Sequence, residues 1–139
     1  MSKRIEVVCT PEIKAIFVTA LYTYTDVAFP CGSADCSLVA REAMLDTLGG
    51  FEREYADSDC GHAGYNKRLR AMFKEGIRLH YRLQEAEHGR PMAAECQLLL
   101  EVAEGIPHDD ADLAAARRAD CEHFKATGVD QDVATGNRK

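Results

Sequence analysis

The chain has 139 residues, 46% of them hydrophobic and 29% charged, which is enough apolar material for one buried core and too much for a disordered chain. No run of about 18 uncharged apolar residues occurs, so no stretch reads as a membrane-spanning helix. Seventeen Lys and Arg stand against 23 Asp and Glu, a formal net charge of −6, and such a chain is a poor general ligand for phosphate backbones.

The opening MSKRIEVVCT has too short an apolar stretch for a secretory signal. The expected compartment is therefore the cytosol, where structural disulfides are rare even for a chain with six cysteines. Arg4 to Thr10 is β-branched and partly alternating, and reads as a strand. It is the one segment of its kind. Its partner is a second chain, a strand hidden in a loop, or none. Thr10-Pro11-Glu12 reads as a helix start, with Thr10 at the N-cap and Pro11 in the first turn. That helix is expected from Pro11 to about Thr25. It is apolar nearly all round, which places it at the centre or at an oligomer interface; together with the lone strand this fits a homodimer. Pro30 and Gly32 mark a loop.

A second helix is expected from Ser33 or Asp35 to about Leu48, with Leu38, Val39, Leu45 and Leu48 inward and Gly49-Gly50 as its stop. Residues 51–64 read as an acidic loop. The third and longest helix is expected from Tyr65 to His88. Leu69, Met72, Gly76, Leu79 and Leu83 form its seam at spacings of 3 and 4. Gly76 costs about 1 kcal/mol against Ala, and close approach of another helix would explain it. Lys67, Arg70, Lys74, Arg78 and Arg82 make a basic stripe beside the seam. A fourth helix is expected from Pro91 to about Glu104 and a fifth from Asp109 or Asp110 to about Ala126, closed by Gly128. Cys96 and Cys121 fall within these patterns and read as buried thiols. The whole is a mainly α, compact bundle of about five helices with one short N-terminal strand. Residues 1–128 form a single domain and 129–139 a polar, frayed tail.

Charge is not spread evenly. Residues 65–90 carry 7 basic and 3 acidic side chains, whereas 1–64 and 91–139 each carry 5 basic and 10 acidic. The plain explanation is a basic helix held by acidic neighbours in the fold. The functional one is a surface that steers a charged partner. The flanking acids oppose phosphate at close range, so an acidic protein patch suits the stripe better than nucleic acid. The acidic clusters (Glu52, Glu54, Asp57, Asp59; Asp109, Asp110, Asp112) are solvated surface, or could occupy a basic groove built for nucleic acid.

Two constellations suggest metal chemistry. Cys31-x4-Cys36 and Cys60-x-His62 lie in glycine-containing loops, and thiolate with imidazole is the donor set zinc prefers. A zinc ion there would help a loop-rich region fold; unconnected cysteines at loop ends are the plainer account. His108-Asp109, with His62 or His80 before it and Asp112 or Asp120 after it, is similar to the His-Asp pattern of helical HD-type metal phosphohydrolases; Asp109 more simply caps a helix. There is no G-x-S-x-G, no Walker loop, no G-x-G-x-x-G and no H-E-x-x-H. Tyr22, Tyr24 and Phe29 lack the interleaved basic residues of a base-stacking platform.

In general character (small, helical, acidic, without catalytic motifs) the chain resembles phage-encoded inhibitors such as anti-CRISPR proteins. The likeness rests on no shared motif and transfers no residue role. It implies a non-enzymatic protein that binds and blocks a host nucleic-acid-processing complex; the charge pattern of the third helix, separately, makes Lys67, Arg70, Lys74, Arg78 and Arg82 the expected contact surface. The alternatives are a zinc-stabilised regulatory module and, third, the phosphohydrolase.

Overall fold

The computed structural model describes residues 3–32 and 34–136, the side chains of residues 35, 36 and 127–136 excepted. Among the described residues the chain forms five α-helices and one two-stranded antiparallel sheet. The order is β1 (Arg4–Val8), α1 (Pro11–Ala28), α2 (Asp35–Asp57), β2 (His62–Asn66), a 3-10 turn (Lys67–Leu69), α3 (Arg70–His88), α4 (Ala93–Ala103) and α5 (Asp110–Gly136). The expected mainly α architecture is therefore present.

The partner of β1 is β2, which spans the end of the segment read as loop and the expected start of the third helix. Ile5 pairs with Tyr65 and Val7 with Ala63, and all four side chains are buried. Arg4 and Glu6 alternate to the outer face, as a half-buried sheet requires. The backbone groups of β1 that face β2 are thus paired within the chain. The third helix accordingly starts at Arg70 and not at Tyr65.

Helix α1 lies at the centre, packed on α2, α3 and α5. Ile13, Phe17, Val18, Ala20 and Leu21 are buried. Phe17 meets Phe51 of α2 at 5.4 Å and Phe73 of α3 at 5.9 Å, and Phe73 stacks on Tyr65 of β2 at 4.1 Å. Thr10 stands at the N-cap of α1 without a side-chain cap bond; its hydroxyl donates to Asp110 at the start of α5.

Helix α2 runs through Gly49-Gly50 to Asp57. Two helical glycines cost roughly 2 kcal/mol together. Burial of Phe51, about 1.5–3 kcal/mol, offsets this, and Tyr55 adds a hydroxyl bond of 2.6 Å to the Cys9 carbonyl on the far side of β1. The inward residues are Met44, Leu48 and Phe51, whereas Val39 is 67% exposed. On α3 the buried residues are Phe73, Gly76, Ile77 and Tyr81. The seam is thus displaced from the expected one by a residue, and Leu83 faces solvent. Gly76 does mark a close approach, since a Cβ there would meet Leu21 and Tyr24 of α1 at 3.0 Å.

Helix α4 begins under a cap from another helix: Asp120 of α5, buried, accepts from the Ala94 and Glu95 N–H groups at 2.8 and 3.0 Å. Helix α5 passes the expected stop at Gly128 and is carried to Gly136. Cys96 is half-buried, but Cys121 is exposed, against the expectation of a buried thiol.

Candidate functional site

The basic stripe occupies an open face. Lys67 falls in the 3-10 turn, and Arg70, Lys74, Arg78 and Arg82 follow along α3. The row lies one residue after Phe73, Ile77 and Tyr81, so its aliphatic stems border the core while the charges reach water. Lys74 and Arg70 both turn to Glu104 at the end of α4, at 2.5 and 3.6 Å. Lys74 holds the Glu104 carboxyl below its ordinary value. Arg78 and Arg82 share Glu75, each at 3.6 Å. Four cations thus divide two carboxylates, and Arg78 and Arg82 are left with only long pairs among the described residues.

Between α3 and α4 lie two shallow depressions of about 290 and 300 Å³. Both are lined by Arg78, Gln97 and Leu100, so they form one groove. Leu100 and Cys96 supply apolar surface, and Ile106, 46% exposed, lies at one end. Gln97 and Leu100 are the members that sequence reasoning missed as functional residues. Their signal was present, since Leu100 follows buried Leu99 and so sits at the edge of the inward face of α4.

The cysteine-histidine set is not gathered in this way. Cys31 and Cys60 are exposed, Cys60 lying 3.8 Å from the Ser58 hydroxyl; the Cys36 side chain lies outside the described residues. His62 sits on β2 and bonds Glu6 of β1 at 2.6 Å. Among the described residues, the metal-type donors that cluster with His62 are Glu6 and Glu54. A cation is already there. Arg4 reaches Glu54 at 2.6 Å and Glu6 at 3.3 Å, across the bare backbone of Gly64. Its guanidinium holds the Glu54 carboxyl below the ordinary value. The group works as a surface ion-pair network over the sheet.

The residues of the phosphohydrolase pattern have separate tasks. Asp109 and Asp112 form a reciprocal capping box at the start of α5: Asp109 accepts from the Asp112 N–H at 2.9 Å, and Asp112 from the Asp109 N–H at 3.3 Å. His108 is clamped, Nε2 on Glu101 at 2.8 Å and Nδ1 on Asp112 at 2.9 Å. Both ring nitrogens are engaged, which leaves neither free to ligate a metal. Asp120 caps α4, and His80 lines a different cavity. His108, Asp109, Asp112 and Cys60 do share a third depression, an open cleft of about 740 Å³ beside Cys9 and Tyr55. The Cys9 thiol there is pushed up to about 12 by burial and is not a ready nucleophile.

No protein-family model, curated protein or solved structure matches this chain.

Proposed function

We propose that this protein acts by binding another protein, through the α3 cation row and the α3/α4 groove beside it, and that the surface it recognises is acidic. The observation that carries this is that Arg78 and Arg82, both exposed at the groove's edge, are held among the described residues only by the 3.6 Å pairs they share with Glu75. A partner carboxylate can take a two-pronged bond from Arg78 or Arg82 without undoing a short native pair. Leu100 and Ile106 offer the apolar contact that such charges surround at interfaces. Among the described residues no helix is long and apolar enough to cross a membrane. Inhibition of a host nucleic-acid-processing complex is the specific form of this function that the small size, acidic charge and helical fold fit.

Affinity capture from cells of the source, run in parallel with the wild-type chain and the Arg78→Glu/Arg82→Glu variant, tests the proposal. A protein retained by the wild type, released by salt and lost with the variant supports it. Identical capture by both, with the variant's helical spectrum intact, overturns it. The pairs lost are long and exposed, worth about 0–1 kcal/mol each, so the variant is expected to fold.

A further inference from the structure

A cavity of about 580 Å³ opens among α1, α3, α5 and the amino-terminal end of α4, within the size range of small-ligand sites. Glu95 and Tyr81, both buried, form part of its lining. The charge of Glu95 is already answered. The Tyr81 hydroxyl donates to its Oε2 at 2.7 Å and Arg117 Nε to its Oε1 at 3.1 Å. Arg117 also donates to Glu12, at 3.1 Å. Ile16 and Met92 supply apolar lining.

Arg90 is different. It is half-buried and lines the cavity, yet it makes no ion pair or hydrogen bond among the described residues. Its place is set by the turn that ends α3: Gly89 takes a left-handed φ of 67° and Pro91 follows. Of the two acids in the last turn of α3, Glu85 accepts from the Met92 N–H at 2.8 Å and Glu87 is exposed. The guanidinium therefore offers its donors to the cavity without a competing carboxylate partner, and a bound anion can take two charge-assisted hydrogen bonds from it.

We infer that this cavity binds a small organic anion, its carboxylate or phosphate on Arg90 and its apolar part against Ile16 and Met92. His80 and Gln84 add polar lining. Burial holds the His80 imidazole below its ordinary 6.5, so near neutral pH it meets the ligand uncharged. The site does not depend on the α3/α4 groove.

The test is an amide-resolved NMR titration of the full chain with hexanoate, phenyl phosphate, inorganic phosphate and, as a cation of matched size, hexylamine. Saturable shifts around His88 to Glu95 with hexanoate or phenyl phosphate, and none with hexylamine, are expected; which of the two binds identifies the head group. Arg90→Gln should weaken binding by about tenfold or more, Arg90→Lys by less, and Arg118→Gln, exposed on α5 and outside the cavity lining, not at all. The inference is overturned if neither organic anion saturates below about 10 mM. It also fails if hexylamine or inorganic phosphate binds as well as they do, or if Arg90→Gln binds like the wild type.

Discussion

Gly61 carries two constraints at once. Its φ is 71°, and a Cβ there would lie 2.6 Å from the Cys9 carbonyl oxygen and 3.0 Å from the Tyr55 hydroxyl. Gly89 has a similar φ of 67° but open space around it. Both alanine variants pay the left-handed penalty of about 1–2 kcal/mol; only Gly61→Ala must also displace backbone. We expect urea midpoints to fall for both, with Gly61→Ala lower than Gly89→Ala. Equal midpoints would show that the β1/β2 junction yields freely. In the sequence Gly61 reads only as part of a glycine-containing cysteine loop. Its actual role depends on a carbonyl about fifty residues earlier, and local pattern cannot supply that. Asp120 is a similar case, an acid within a helical pattern whose partners, the Ala94 and Glu95 N–H groups, belong to another helix. Asp120→Ala should cost about 1–2 kcal/mol in chemical denaturation, and Asp120→Asn less, because an amide oxygen also accepts. A neutral Asp120→Ala would refute the shared cap.

Among the elements, helix starts and stops with strong local chemistry were legible. Pro11, Gly89 and the Asp109-to-Asp112 box all act where capping rules place them. The errors share one cause, tertiary burial outweighing local preference. His62–Asn66 contains no β-branched residue and gives no strand signal; it is a strand because β1 needs a partner. Gly49-Gly50 remains helical because Phe51 reaches the core. On α3, Phe73, Ile77 and Tyr81 took the inward face in place of Leu79 and Leu83, so the seam turned by one position. The α4–α5 junction makes a pH prediction. Burial works to lower the His108 pKa, but hydrogen bonds and charge from Asp112 and Glu101 outweigh it and hold it above 6.5. A raised pKa contributes stability in full below about 6.5 and loses it as pH rises through the folded value. Glu101 and Asp112 are held below their ordinary 4.5 and 3.8, so their share fades as pH falls through those lowered values. The stability gap between wild type and His108→Gln should therefore be widest near about pH 5.5 and narrower at about pH 8. A gap that widens with pH would mean the clamp does not form.

For the whole molecule, the basic segment between acidic ones was readable from composition alone, and the structure lays it along the outer face of α3 and the turn before it. What composition could not show is how much of that charge the fold itself uses. Glu104 and Glu75 take part of it, as the plain explanation of a basic helix with acidic neighbours requires, and leave Arg78 and Arg82 in long pairs beside a groove of mixed polarity. The cysteines illustrate the opposite limit. Spacing suggested that Cys31, Cys36, Cys60 and His62 converge, but His62 is committed to β2 and to Glu6, a pairing visible only once β1 and β2 are joined. That the α3/α4 face is the contact surface is tested most directly by photocrosslinking in cells of the source. A benzophenone amino acid would replace Gln97 in the groove and, separately, Glu42 on the exposed side of α2. The account predicts a discrete protein adduct from position 97 that disappears in the Arg78→Glu/Arg82→Glu background, and no such adduct from position 42. An adduct from position 42 alone, or none from position 97 in folded and expressed protein, would contradict it.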